Sequence, residues 1–326
     1  MTVSHRACLI QATLALGILL ASAPAKAQNY PTRDIRAICN FPAGTGADIF
    51  VRYFSEKLSA LAGKPVTVDN RAGALGTIGT EAAARAKPDG YTIFIAPGSS
   101  THAAAVHMFK KLPYDPIKDF ISVTTLARLS FVLIVDPKSP IKTVADLTAH
   151  LKAKHGKASY GTPSPVGVVS AELYKKYAGV QATKVLYKDM QMPMNDMFAG
   201  NLDFIWGDAG WAVELAKAGK IRVLALSGDR TAALPGVPTM EEAGVKGFGK
   251  VMPWWAVYVP AKTPQPIVKK LEAWFNQIVA SEETKKFLNN LGSDPLPGSG
   301  KLAAEMLIRD TKAWGEYVRL AGIVPQ

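Results

Sequence analysis

The stretch ICNFPAGTGADIFVR, from Ile38 to Arg52, joins an apolar segment to a glycine-containing turn and then to a periodic pattern. Apolar residues recur at helical spacing after the turn, at Phe50, Phe54, Leu58 and Leu61. With Gly63 as a C-terminal cap, the stretch predicts a buried strand, a tight turn and a helix that begins at the turn. The start of a helix carries about half a positive charge and unpaired N–H groups, which glycine lets an anion approach. The turn is therefore either an anion-binding loop or an ordinary connection.

The composition is that of an ordinary globular protein with more than one core. The chain has 326 residues, of which 48% are hydrophobic and 20% are charged. This length exceeds what one hydrophobic core usually serves, so two lobes are expected. The formal net charge is +12, but the Lys and Arg residues are scattered singly or in pairs. Because no dense basic block is present, nucleic acid is not an expected partner.

The first 27 residues have the pattern of a secretory signal peptide. His5 and Arg6 precede the apolar run Ala7–Leu20, and the segment ends in the small-residue site Ala25–Ala27. We therefore expect export to the periplasm and cleavage after Ala27. No later stretch reaches about 18 apolar residues, so a mature protein without a membrane span is expected.

The rest of the chain alternates strands with helices, which favours parallel sheets covered on both faces. The segment SYGTPSP, Ser159–Pro165, repeats the first device of strand, small polar turn and helix. We expect lobe 1 to comprise residues 28–124 and 233–326, and lobe 2 to comprise residues 125–232. Ligands of such sheets bind beyond the carboxyl ends of the strands, so the two polar turns would face one cleft.

Three chemistries that this pattern could serve are poorly supported. The turn GTGADI lacks the third glycine of a dinucleotide fingerprint, although Asp69 lies at the right distance to hold a ribose. Export also argues against a nicotinamide cofactor. The segment Gly98–His102 sits at a strand-to-helix elbow without G-x-S-x-G, so its hydroxyls are better read as hydrogen-bond donors or helix caps. We therefore expect no catalytic residues and no cofactor.

A metal site is not expected either. Once the signal peptide is removed, Cys39 is the single cysteine, and no H-E-x-x-H motif occurs. Cys39 lies in the first apolar strand, where a buried and inert thiol is expected. The four histidines of the mature chain have no metal-ligand spacing: His102, His107, His150 and His155.

Three side chains have two open interpretations each. Trp254, beside Trp255, could offer a flat wall to the cleft or pack in the core. Asp208 could cap the helix that follows it or accept a hydrogen bond from a ligand. Arg128, in a predicted crossing segment, could bind a ligand carboxylate or a neighbouring acid.

Four segments together resemble the Bug-type solute-binding proteins of tripartite tricarboxylate transporters. They are FPAGTGADIFVR, DNRAGALGTIGTEAAARAKPDGYTIFIA, KLPYDPIKDF and LPGVPTMEEAG, and they occur in family order over essentially the whole mature chain. The resemblance implies a type II periplasmic binding-protein fold of the α/β class. In that fold two doubly wound lobes are joined by two crossovers and hold an organic anion in the cleft between them.

In the family, a carboxylate is held mainly by backbone N–H groups and hydroxyls of the cleft loops. This chain departs from the family pattern at Arg128, at Tyr187–Asp189 and at Trp206–Asp208, which bears on the identity of the ligand and not on its class. Together with the side chains discussed above, the matching loops give these predicted ligand-binding residues: Phe41, Ala43, Gly44, Thr45, Ala74, Gly98, Ser99, Ser100, Thr101, Arg128, Thr162, Ser164, Val166, Trp206, Asp208 and Trp254.

The expected function is that of an exported, monomeric, non-enzymatic protein that captures a carboxylate and delivers it to membrane permease subunits. A ligand-sensing subunit for a membrane receptor is the alternative, and a periplasmic enzyme or nucleotide-binding protein is a weaker one. An aromatic or extended mono- or dicarboxylate is the expected ligand. Trp206 and Trp254 could form an aromatic wall, and Arg128 could clamp a second carboxylate.

Overall fold

A computed structural model describes residues 29–187, 189–249 and 251–325. The predicted signal peptide, residues 1–27, lies outside the described residues. Within the described part of the chain, no helix combines the length and apolarity that a bilayer crossing requires.

The elements alternate along the chain as the sequence pattern predicts. The strands are β1 (Ile35–Cys39), β2 (Val66–Asn70), β3 (Thr92–Pro97), β4 (Phe120–Leu129), β5 (Phe131–Val135), β6 (Ser159–Thr162), β7 (Thr183–Leu186), β8 (Phe204–Asp208), β9 (Arg222–Leu226), β10 (Trp254–Pro260) and β11 (Ser293–Pro295). The α-helices are α1 (Gly46–Ala62), α2 (Thr77–Ala84), α3 (Ala105–Met108), α4 (Val144–Ala153), α5 (Pro165–Ala178), α6 (Gln191–Phe198), α7 (Ala209–Lys217), α8 (Gln265–Val279), α9 (Glu282–Asn290) and α10 (Gly300–Leu320).

The strands form two sheets. The six-stranded sheet has the order β11-β4-β10-β3-β1-β2, and the five-stranded sheet has the order β7-β6-β8-β5-β9. β1 runs parallel to β2 and β3, and β6 runs parallel to β7 and β8. β10 is antiparallel to β3 and β4, and β5 is antiparallel to β8 and β9. Each sheet is therefore mixed rather than parallel throughout, because the strands that cross between the sheets run against their neighbours.

The chain passes between the sheets at two places. β4 continues to Leu129 and β5 begins at Phe131, so Ser130 alone separates the first sheet from the second. The expected boundary at residues 124/125 thus falls inside β4. On the return, the backbone hydrogen bonds Met240 N to Leu226 O and Val251 N to Ser227 O hold the segment after β9 beside that strand. The second change of sheet therefore comes just before β10. The division of the chain into lobes at the expected residues stays a prediction.

Helix α1 shows why the opening stretch folds as it does. The Thr45 hydroxyl caps the helix by accepting from Asp48 N, and Gly63 ends it at φ +65°, in the left-handed region. Phe54 and Leu58 on its inner face are fully buried. Burial of these side chains anchors the helix and fixes the preceding turn at the carboxyl end of β1.

Helix α10 connects the two sheets from outside. It packs on β4, on the turn after β3, and on α5 of the second sheet. Trp314 of α10 is buried in a core cluster that contains residues of both sheets. The two halves of the molecule therefore share apolar contacts beyond the two crossings.

Candidate functional site

The loop after β1 is held by a buried carboxylate. Asp48 Oδ2 accepts from Gly44 N at 2.8 Å and from Arg52 Nε at 2.9 Å, and Asp48 Oδ1 accepts from Asn70 Nδ2 at 2.8 Å. The hydrogen bond from Arg52 is the main reason that the pKa of Asp48 is lowered to about 2. The Asp48 carboxylate is thus fully used in holding the loop. Ala43 and Gly44 of the loop are exposed, and Phe41 and Thr45 are half-buried.

The loop after β2 has an unusual backbone. Gly73, Ala74, Leu75 and Gly76 have φ values of +124°, +45°, +52° and +91°. The Asn40 side chain lies beneath this loop, since a Cβ added to Gly76 would come within 2.6 Å of Asn40 Nδ2. Asn40 is 2% exposed, and its Oδ1 has no hydrogen-bond partner among the described residues. Sequence reasoning missed Asn40, although a polar residue that ends an apolar strand was a usable signal.

The chain leaves β3 in a tight turn. Gly98–Ala103 is one turn of π-helix, and the Thr101 hydroxyl donates to Pro97 O at 2.6 Å. Ser99 is 2% exposed and its Oγ lacks a partner within the described chain, while Ser100 is half-buried. Of the three predicted hydroxyl donors, Ser100 is therefore the one nearest to solvent. The backbone N–H groups at the start of this turn are further donors.

The structure places Trp254 in the core and not on an open wall. Its side chain is fully buried, and its Nε1 donates to Asp310 Oδ2 on α10 at 2.7 Å. A Cβ on Gly98 would lie 2.2 Å from the indole ring, so the ring packs directly on the turn after β3. Trp254 therefore packs beneath the turn after β3 and supports it from the core.

The second sheet repeats the strand–turn–helix device. Ser164 caps α5 by accepting from Val166 N at 3.2 Å, and Thr162 Oγ1 accepts from Ser164 N at 3.3 Å. Thr162 is fully buried and Val166 is 5% exposed, whereas Ser164 is half-buried at the end of β6. Of the three predicted ligand-binding residues in this turn, Ser164 is thus the one that is partly exposed.

Trp206 and Asp208, at the end of β8, have structural partners. The Trp206 ring is fully buried and stacks on Phe248 at 6.2 Å, and its Nε1 has no partner in the described residues. The Asp208 carboxylate accepts from Trp211 N at 2.8 Å and caps α7, and its burial raises its pKa. The structure thus shows the capping alternative for Asp208. It shows no exposed aromatic wall at Trp206.

Of the two alternatives for Arg128, the structure shows the neighbouring acid. Arg128 Nη1 lies 2.7 Å from Asp229 Oδ2, in the segment that follows β9. Arg128 Nε is buried without a partner in the part of the chain described. The guanidinium therefore links the two sheets beside the first crossing.

The topology brings the predicted loops into two groups. β2, β1 and β3 are parallel neighbours, so the loops at their carboxyl ends lie side by side. β6 and β8 are parallel neighbours too, which places the turn at Ser164 beside Asp208. Each group offers helix starts and hydroxyls, which suit an anion.

Two reactive side chains lie away from solvent. Burial is the main cause that raises the pKa of the Cys39 thiol, and it lowers the pKa of fully buried His102 to about 3. Among the described residues, no group of three or more His, Cys, Asp or Glu side chains could hold a metal ion.

Comparison with known proteins identifies the family. Residues 50–323 match the model of the tripartite tricarboxylate transporter family receptor. A UPF0065 protein of Bordetella bronchiseptica is 33% identical, and the alignment covers 98% of each chain.

Solved structures agree in fold. R. palustris Rpa4515 with adipate is 29% identical with a TM-score of 0.80, and the alignment covers 91% of this chain and 100% of that one. MatC from Rhodopseudomonas palustris, with bound malate, is 26% identical with a TM-score of 0.74 and coverages of 89% and 100%. The periplasmic binding protein BugD is 26% identical with a TM-score of 0.76 and coverages of 91% and 100%. The expected type II binding-protein fold is confirmed, and the chain belongs to the tripartite tricarboxylate transporter receptor family.

Proposed function

We propose that this protein is an exported, monomeric receptor that binds an organic dicarboxylate and delivers it to the membrane subunits of a tripartite transporter. Relatives with bound adipate and malate support a carboxylate ligand. The basic pattern at Arg6 and the site at Ala25–Ala27 support export with cleavage after Ala27. The ligand shifts the protein toward a closed form that the membrane subunits recognise, and no chemical step is involved.

One observation carries the proposal: the two acids in the predicted loops are already engaged. Asp48 accepts three hydrogen bonds from its own surroundings, and Asp208 caps α7. The predicted loops also offer N–H groups and hydroxyls, including those of Ser100 and Ser164. Removing an anion from water is tolerable only where donors are already aimed at it, and these loops provide such donors.

Among carboxylates, we favour an extended aliphatic dicarboxylate over an aromatic acid. Trp206 and Trp254 are both fully buried, so neither offers an open face for a planar ring. Arg128 is paired with Asp229, so a second carboxylate would be held by the donors of the opposite sheet rather than by that guanidinium. The proposed contacts are made by the loop and turn residues: Phe41, Ala43, Gly44, Thr45, Ala74, Gly98, Ser100 and Ser164.

A thermal-shift screen of the mature protein tests the proposal. Adipate, malate, benzoate and butyrate are compared with 1,6-hexanediol, which has the carbon chain of adipate without its charges. At about 100 times its dissociation constant, a bound acid should stabilise the fold by about 2.7 kcal/mol, and the diol should not. Equal shifts with acid and diol, or none with any acid, would refute carboxylate binding. Recovery of a chemically altered acid would indicate an enzyme.

A signalling role is the second candidate, because a closed receptor could dock on a sensor instead of a permease. Uptake of the identified acid by cells that lack this protein separates the two. Lost uptake supports transport, whereas normal uptake with a lost transcriptional response supports sensing.

A further inference from the structure

The loop after β2 contains a leucine in a backbone conformation that favours glycine. Leu75 has φ +52°, and its neighbours Gly73 and Gly76 show that glycine is used elsewhere in the same loop. A bulky residue at positive φ is a clear outlier, since its Cβ crowds the backbone. Such strain persists only where the surrounding structure holds it in place, and it is concentrated at active sites and ligand-binding loops.

The side chain of Leu75 has no structural role that would explain this strain. It is 54% exposed, so it contributes little to the core. Ile78, at the start of α2, is 51% exposed and lies over Gly73, where an added Cβ would come within 2.7 Å of Ile78 Cδ1. Leu75 and Ile78 thus place apolar surface at a loop whose other features suit an anion.

The position of Leu75 relative to α2 indicates what this surface contacts. Gly76 is the N-cap of α2 and provides no side-chain hydrogen bond. The Thr77 N–H donates to Ala74 O, so the donors left for a ligand are the next N–H groups of the first turn. If those groups held the carboxylate of a ligand, the methylenes next to that carboxylate would pass Leu75, the residue just before the cap.

We propose that Leu75 is a specificity-determining residue that covers the hydrocarbon chain of the bound acid. This inference rests on the proposed function, because it concerns the same ligand. Leu75 adds the preference for a long chain, while the backbone donors hold the carboxylate. Each methylene that leaves water on binding strengthens binding about fourfold.

The test is a chain-length series measured by calorimetry. Succinate, glutarate and adipate are titrated into the wild-type protein and into Leu75→Ala and Leu75→Gly variants. Adipate has two methylenes more than succinate, so the preference of the wild type for adipate should fall by about 4- to 15-fold in both variants. The two variants differ in backbone strain but not in the loss of the apolar side chain, so a shared loss assigns the effect to that side chain.

Ile308→Ala is the matched control, since Ile308 is 58% exposed and lies on α10 in a groove lined by β4 and α8 residues. Its adipate-to-succinate ratio should stay within about twofold of the wild type. If the wild type binds no diacid, the proposed function fails. If diacids bind and the Leu75 variants keep the wild-type ratio, the inference about Leu75 alone is wrong.

Discussion

Arg128 Nη1 and Asp229 Oδ2, 2.7 Å apart, join the end of the first sheet to the segment that leaves the second. Arg128 lies on β4, just before the first crossing. The Ser130 hydroxyl, at the crossing itself, donates to Asp229 O at 3.1 Å. Asp229 therefore ties the first crossing to the segment that follows β9, and the second crossing meets the first where Leu129 N donates to Pro253 O at 2.9 Å. A closing motion of the two halves would have to bend the chain at these crossings.

Arg128→Met is expected to lower the free energy of unfolding by about 1 kcal/mol, because the pair is about a third exposed and partly screened. Urea unfolding measures this loss. Calorimetry with adipate and butyrate should show affinities within about threefold of the wild type. A tenfold loss for the dicarboxylate alone would instead make Arg128 a ligand clamp. Asp229→Asn would then strengthen dicarboxylate binding by releasing the guanidinium.

Gly98→Ala should destabilise the protein by about 1–3 kcal/mol, since its Cβ would overlap the buried Trp254 ring at 2.2 Å. Urea unfolding of Gly98→Ala, Trp254→Leu and the double variant measures the coupling. The double variant should lose less than the sum of the two single losses. Gly46→Ala is the control, because nothing lies within 4 Å of its added Cβ, and its stability should be unchanged or raised. Additive losses would contradict the packing of Trp254 on Gly98.

The substitution Asp48→Asn should make the free energy of unfolding less dependent on pH in the acid range. The pKa of Asp48 is lowered on folding to about 2, mainly by Arg52. A group of this kind stabilises the fold above its unfolded pKa of about 3.9, and the contribution is lost as the pH falls toward 2. The variant should therefore be about 2 kcal/mol less stable at pH 7, with a difference from wild type that shrinks between pH 4 and pH 2.

A second variant, Asp203→Asn in the second sheet, separates the loss of stability from an effect on carboxylate binding. The Asp203 side chain is 5% exposed, and its carboxylate accepts from His150 Nε2 at 2.7 Å and from Ser159 N at 2.9 Å, away from the strand-end loops. Both variants should lose stability, but only Asp48→Asn should weaken carboxylate binding, because Asp48 holds Gly44 in place. Equal affinities in the two variants would show that the loop after β1 is not part of the site.

Local sequence was sufficient to predict the strand–turn–helix units β1–α1 and β6–α5. The turn into α1, the end of α1 at Gly63 and the turn into α5 all depend on residues within a few positions of each other. Helix caps and amphipathic spacing are properties of short segments, so they can be read without knowing the rest of the fold. The two groups of strand-end loops follow from these devices and from the alternation of strands and helices.

Whether Trp254 and Trp206 lie in the core or face the cleft could not be predicted from local sequence. Trp254 is buried, and its indole nitrogen donates to Asp310, on a helix 56 positions later in the chain. Trp206 is buried beneath Phe248, which lies in the segment between the sheets. Which face of a strand is covered depends on elements distant in sequence, and an aromatic residue serves equally well in a core or in a ligand site.

Trp206→Ala is expected to act on stability and not on the choice of ligand. The ring is fully buried against Phe248, so its removal should cost about 3–5 kcal/mol in urea unfolding. Phe248→Leu removes the stacking partner and should destabilise the protein as well, by a smaller amount. Because neither ring is open to the cleft, terephthalate and adipate affinities should fall by the same factor in each folded variant. A loss confined to terephthalate in Trp206→Ala would show that the indole turns toward the ligand in the closed form, and an aromatic acid would then replace the aliphatic one as the favoured ligand.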